Sequence, residues 1–264
     1  MRKKLFLFSI FAALLLLSAC SQIRHDETPL PELRIGGTIY APFFYRDISD
    51  GFIGVDVEIA EEACRRIGRT PVFIETDIGE RTQALESGSI DCIWSCFTMD
   101  GRENEYLWAG PYMYTRRVIA VQSGSDIFSL SDLEHKRVAV QANSSSEEII
   151  LGNLNPALPE FSQLSTFSTV GEVFTALRRG YVDAIAGHES SLRLYTDEYP
   201  GAFRYLGMSI RRETLGVAFS PSGDRELVSD LTAALSAMDA DGTIASILEK
   251  YGIDPSLNTI GGAG

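Results

Sequence analysis

From Leu33 to Trp94, short apolar runs alternate with segments whose apolar residues recur at helical spacing, and that alternation leaves few architectures open. Leu33-Arg34-Ile35-Gly36-Gly37-Thr38 opens as a strand. Pro42 does not belong inside a central strand, so it marks the strand's end and puts Tyr40 at the exit. After the turn Ser49-Asp50-Gly51, Asp56 is expected to cap a helix over Val57–Ile67, where Val57, Ala60, Ala63, Cys64 and Ile67 share one face. Gly68 closes that helix. Val72-Phe73-Ile74 follows as a strand, Arg81–Gly88 as a short helix and Ile90–Trp94 as a third strand. Such an order implies a parallel sheet with helices on its faces. Small molecules bind such sheets beyond the carboxyl ends of the strands, where Tyr40, Ser95, Phe97 and Arg102 all fall.

The stretch Ile90–Tyr112 says most about function. An apolar run gives way to small and polar residues and a turn at Asp100-Gly101, and Arg102 follows at once. A guanidinium is permanently charged and matches a carboxylate bidentately, so Arg102 at a strand end suits a small acid. The other reading is a solvated ion pair with Glu103 or Glu105, worth about 0–1 kcal/mol.

A second unit begins after Tyr112. Val118–Val121 reads as a strand, Leu130–Leu133 opens a short helix, and Arg137–Gln141 is a further strand that exits into Asn143-Ser144-Ser145-Ser146. Small polar residues where a strand meets a helix offer N–H groups and hydroxyls to an anion. The alternative is plain capping by Ser145 or Ser146. Gly171–Arg179 is a helix, and Tyr181–Ala186 a strand ending at Gly187-His188-Glu189. The chain then returns through a strand, Leu215–Phe219, and helices over Asp224–Met238 and Thr243–Tyr251 to a tail at residues 257–264.

At the N-terminus, Arg2, Lys3 and Lys4 precede an apolar run over Leu5–Leu17, too short for a bilayer span of about 20 residues. Leu17-Ser18-Ala19-Cys20 resembles the bacterial lipobox, which implies that residues 1–19 are a signal peptide, that Cys20 becomes the lipidated first residue, and that residues 20–32 are a tether. The mature protein is expected outside the cytoplasm. Removing three basic side chains and no acidic one makes the formal charge of −13 more negative, which argues against nucleic acid and anionic membrane surfaces as partners. Cys64, Cys92 and Cys96 are an odd set without a nearby His, so buried free thiols are expected rather than a metal site, and nothing supports a Cys92–Cys96 disulfide.

From about Leu33 to Gly252 the chain resembles the bacterial solute-binding proteins of family 3, receptors of polar amino acid ABC transporters. Ala41-Pro42-Phe43 with Asp50–Ala60 carries the opening part of that resemblance, and Leu85–Arg102 with Gly110-Pro111-Tyr112 the central part. Val138–Ser145 and Ala240-Asp241-Gly242-Thr243 complete it. The resemblance implies an α/β fold of two periplasmic-binding-protein-like lobes (type II), each a mainly parallel sheet flanked by helices. Lobe 1 would be residues 33–114 and 214–256 and lobe 2 residues 115–213, with a hinge of two crossovers near Arg116-Arg117 and Arg211-Arg212. Those arginines either favour an acidic neighbour such as Glu213 or are solvated.

By the same resemblance, Arg102 clamps a ligand carboxylate, Phe97 assists through its backbone N–H, and Ser95 turns a carbonyl toward an ammonium. Asn143, Ser144 and Ser145 close from lobe 2, while Tyr40 and Ile78 form walls. Members of the family usually have an acid at Gly37, often an aromatic at Ile78, and an Asp at His188, so the ammonium half is altered here. Either His188 is neutral there or Glu189 turns in. The expected partners are a small amino acid or carboxylate, ABC permease subunits and, through Cys20, the membrane. A monomer without cofactor is expected. The alternatives are a periplasmic dehydratase with His188 or Glu189 as general acid, and a sensory module for a separate membrane partner.

Overall fold

The computed structural model describes residues 29–261; the signal segment, Cys20 and most of the tether lie outside them. β1 (Glu32–Gly37) leads to a small hairpin of β2 (Tyr45–Arg46) and β3 (Phe52–Ile53), and α1 (Val55–Arg66) follows. Next come β4 (Thr70–Glu75), α2 (Arg81–Glu86) and β5 (Cys92–Ile93). The expected helix and strand order is present, with β5 trimmed to two residues.

One local expectation is corrected at α1. The helix begins at Val55 behind Gly54, not behind Asp56. Gly54 has φ of 132°, and a Cβ there would meet the Phe43 carbonyl oxygen at 2.2 Å, so only glycine permits the approach. The Val55 and Asp56 N–H groups then donate to the carbonyls of Pro42 and Phe43, each at 2.9 Å, and the helix start is capped by backbone. This leaves the Asp56 carboxyl free to act elsewhere. It is buried at 1% exposure, where it accepts the Cys96 N–H at 2.6 Å and the Tyr112 hydroxyl at 2.8 Å.

β6 (Leu107–Gln122) is 16 residues long. The sequence shows only its end, Val118–Val121, because Thr115, Arg116 and Arg117 interrupt the apolar pattern. β7 (Arg137–Gln141), α3 (Ser145–Leu151), β8 (Gln163–Phe167), α4 (Val170–Arg178), β9 (Ala184–His188) and α5 (Glu189–Thr196) build the second half. The Leu130–Leu133 segment is a single 3-10 turn over Ser131–Leu133. β10 (Phe203–Tyr205) precedes β11 (Arg211–Phe219), and α6 (Arg225–Ala240), α7 (Thr243–Lys250) and α8 (Pro255–Asn258) end the fold.

The main sheet runs β4-β1-β5-β11-β6-β9-β7-β8, with β10 added on β6. Pairing is parallel at both ends, β4-β1-β5 and β9-β7-β8, and antiparallel through β5-β11-β6-β9. Separate hydrophobic cores form on the two sides of this antiparallel centre. One packs Leu33, Ile35 and Trp94 with Leu215, Val217, Met238 and Leu248, joining the start of the fold to its end. The others take alternate residues of β7 on opposite faces: Val138 and Val140 with Ile119 on one, Ala139 with Phe174, Leu177 and Ile185 on the other. Cys64, Cys92 and Cys96 are buried free thiols, as the sequence implies. Among the described residues no helix is long and apolar enough to cross a membrane.

Burial outweighs the hydrogen bonds from Tyr112 and Cys96 and holds the Asp56 carboxyl up at about 7. A raised value in the folded state means that its stabilising contribution is complete in acid and is lost as pH rises through about 7. Urea unfolding should therefore show wild type losing ground to Asp56→Asn between about pH 4 and 7. Asp56→Ala, which leaves two buried donors unpaired, is expected to lose about 3 kcal/mol. A loss within 0.5 kcal/mol, roughly that of an ordinary surface change, would show that Asp56 does not pin α1 to Cys96 and Tyr112.

Candidate functional site

A cleft opens where β1, β5 and β7 end. One wall is made by Thr38, Tyr40, Ile78, Arg81, Ser95, Cys96, Phe97, Thr98 and Arg102, the other by Arg117, Gln141, Asn143, Ser144 and Ser145. The Ser95 hydroxyl donates to the Thr38 carbonyl at 2.8 Å and ties the exits of β5 and β1 together. Arg102 is positioned through its backbone: its N–H donates to Met99 at 2.9 Å and its carbonyl accepts the Trp108 indole N–H at 3.0 Å. Trp108 and Tyr106 pack on Phe97, each with ring centres 5.5 Å away. The Phe97 ring in turn carries two guanidiniums, Arg81 at 4.4 Å and Arg102 at 5.6 Å from its centre.

The partner of Arg102 is neither Glu103 nor Glu105. It pairs with Glu148 of α3, on the far side of the cleft, and Glu103 instead accepts the Gly101 N–H at 3.0 Å. The α3 junction is likewise already engaged. Ser144, not Ser145 or Ser146, is the N-cap, accepting the Glu147 N–H at 3.3 Å and donating to the Gln141 carbonyl at 2.7 Å. The Asn143 N–H donates to the Glu147 carboxylate at 2.6 Å. Ser145 donates to Glu213 of β11. The other Glu213 oxygen accepts Arg117 Nε of β6 at 2.6 Å, and both side chains are almost wholly buried, at 6% and 0% exposure. Burial alone would lower Arg117, yet the adjacent Glu213 carboxylate outweighs it and raises it.

The cleft therefore gathers Tyr40, Ile78, Ser95, Phe97, Arg102, Asn143, Ser144 and Ser145, and leaves out His188 and Glu189. His188 is 1% exposed; its Nε2 meets the Thr115 hydroxyl, and its ring packs edge-on against Phe43 at 4.7 Å and Tyr40 at 6.2 Å. Burial, then the charge of Arg117, pushes it well below the ordinary imidazole value, so it is neutral. Glu189 takes Arg116 at 2.6 Å and Arg193 at 3.0 Å, and lines a separate depression with Asp197 and Asp254. Side chains alternate along an extended backbone, and the two neighbours part company there. Gly37 has a simple cause: a Cβ would lie 2.6 Å from the Phe44 ring, so an aromatic occupies the space an acid would need.

Sequence reasoning missed Thr38, Arg81, Cys96, Thr98, Gln141 and the part Arg117 takes in the lining. Arg81 did carry a signal, since a cation in the first turn of a helix opposes the macrodipole. Among the described residues, no group of three or more His, Cys, Asp and Glu side chains is placed to hold a metal ion.

A family model, bacterial extracellular solute-binding proteins, family 3, matches residues 33–254. The glutamate-binding protein GluB of Corynebacterium glutamicum is 26% identical over 224 residues, covering 79% of this chain and 74% of that protein. An ancestral arginine-binding protein bound to arginine superposes with a TM-score of 0.73 at 29% identity, over 84% of this chain and 99% of the other. An ancestral amino acid-binding protein described as a precursor of cyclohexadienyl dehydratase gives 0.73 at 27% identity, over 83% and 95%.

A histidine held neutral contributes stability that is complete above the ordinary value of 6.5 and is lost as pH falls. Thermal unfolding of His188→Gln between about pH 7 and 5 is thus expected to fall less steeply than that of wild type. Parallel curves would mean that His188 titrates alike in the folded and unfolded protein and is not held neutral by burial.

Proposed function

We propose, from the premise that this chain belongs to the bacterial extracellular solute-binding proteins, family 3, that it is the receptor of an ABC importer. It takes a polar amino acid or related small carboxylate into the cleft and delivers it to a membrane permease. The observation that carries this reading is Arg102, fixed at the exit of β5, resting on Phe97 and facing a carboxylate across the cleft. That partner, Glu148, is half exposed at 50%, so a ligand carboxylate can replace it on the guanidinium. Tyr40 and Ile78 wall the site, Phe97, Asn143, Ser144 and Ser145 border the bound carboxylate, and Ser95 turns its backbone carbonyl toward the ammonium.

The lobes are placed at residues 33–114 with 214–256, and at 115–213. Support comes from the cores, one of which joins Leu33 to Leu248 while two others draw on residues between Val118 and Ile210. β6 and β11 then form the hinge, and opening separates Arg102 from Glu148. The receptor acts as a monomer, held at the membrane by a lipid on Cys20. A dehydratase on this scaffold is the weaker reading, because its candidate acids, His188 and Glu189, face away from the cleft and general acid catalysis needs contact with the substrate.

Calorimetry with the common amino acids and small dicarboxylates tests the reading. Arg102→Ala is expected to weaken the best ligand at least about a hundredfold, the loss of a bidentate charge-assisted pair, while Tm stays within a few degrees of wild type. Undiminished affinity in a folded Arg102→Ala protein would remove Arg102 from the site.

A further inference from the structure

The lining of the cleft carries three guanidiniums, Arg81, Arg102 and Arg117, and no carboxylate or imidazole. Two of the three already have an acid from outside that lining: Arg117 has buried Glu213, and Arg102 has Glu148 of α3. Arg81 has neither a side-chain hydrogen bond nor an ion pair among the described residues, and its contact is the face of Phe97 at 4.4 Å. Burial, then repulsion from Arg102, pulls it down to about 10, which still leaves it charged at neutral pH. An unpaired cation that is partly buried carries a desolvation cost, and its place in the first turn of α2 adds to it.

The lining treats positive charge on a ligand quite differently. Thr38 Oγ1 and Gln141 Oε1 are buried acceptors without a partner among the described residues, and both belong to cleft-lining side chains. They can take an ammonium, but only as neutral oxygens. No acid stands at Gly37, where Phe44 fills the space, and His188 is neutral behind Tyr40.

We infer that the ligand is a small dianion in the sense that it carries two ionised carboxylates, with or without an ammonium, one on Arg102 and the second on Arg81. This rests on the receptor reading above and narrows it to acidic amino acids and dicarboxylic acids. Both guanidiniums lie against one phenyl ring, at 4.4 and 5.6 Å from its centre, and both line the same cleft. A second carboxylate gives Arg81 the counter-charge that the protein omits. A ligand with a cationic side chain would instead bring like charge against it.

The test is calorimetry on the purified full chain in detergent with L-glutamate, L-aspartate, succinate and glutarate, set against L-glutamine, L-arginine and L-histidine. At least one dianion is expected to bind ten times or more tighter than any of the latter three, roughly the value of one charge-assisted hydrogen bond. Arg81→Gln should weaken that dianion roughly thirtyfold and L-glutamine less than threefold. Arg81→Lys, which keeps the charge, should retain the preference; it and the wild-type series decide the matter if Arg81→Gln does not fold. Binding of the dicarboxylic acids without the amino acids would support the inference and assign the non-amino class. Preference for L-glutamine, L-arginine or L-histidine, with the ligand lost in Arg102→Ala, would overturn the dianion and leave the receptor standing. An equal loss of every ligand in Arg81→Gln would also overturn it. If no probe binds wild type, the receptor reading fails and the dianion fails with it.

Discussion

Glu213 ties together three elements of this structure, β11, β6 and α3. It sits at 0% side-chain exposure on β11, one oxygen taking Arg117 from β6 and the other taking Ser145 from the first turn of α3. Removing both charges from water costs several kcal/mol per ion, and their attraction offsets it only while the geometry is good. The pair therefore fixes the relative register of two strands that pass between the hydrophobic cores, at the point where each strand leaves one core for the other. A third element, α3, is referenced to the same carboxylate. Bending at the centre of the sheet, the packing of β6 on β11 and the approach of the second wall to the cleft are thus set by one buried acid.

The elements that could be read from the chain are those whose signal is local. Apolar period and glycine stops located α1, β4, α2, α6 and α7, and the strand-exit argument brought Arg102, Tyr40 and the Asn143–Ser145 segment to one end of the sheet. What escaped depends on residues far apart in sequence. β6 shows in the sequence only as a strand of four residues because Thr115, Arg116 and Arg117 interrupt its apolar pattern, while the pairing with Glu213, one of the two readings open for these arginines, is what makes the burial of Arg117 tolerable 96 positions away. Arg102 meets Glu148 across 46 positions, whereas the sequence offered the nearer Glu103 and Glu105. His188 and Glu189 were taken together as neighbours, although their side chains go to different places at the β9–α5 boundary. Asp56 looked like a cap because helix-start chemistry favours aspartate there; the carbonyls of Pro42 and Phe43 perform that task and release it for the core.

The two walls differ in how freely they can be altered. On the first, Phe97, Tyr106 and Trp108 form one aromatic block whose indole also fixes the Arg102 carbonyl, so the position of the guanidinium is inherited from packing. On the second, Asn143 and Ser144 are committed to holding the start of α3 and Ser145 to Glu213. Changes at the first wall therefore act on an aromatic platform, while changes at the second also act on a helix terminus and on the buried Glu213.

The Arg102–Glu148 contact carries a further consequence. A carboxylate tethered to the protein is present at its guanidinium at an effective concentration set by geometry, independent of what the surroundings contain. Glu148 therefore behaves as a built-in competitor. A molecule that offers a single carboxylate and nothing else would exchange one such contact for another and gain little. To displace Glu148 from Arg102, a molecule would have to bring additional contacts to the same cleft.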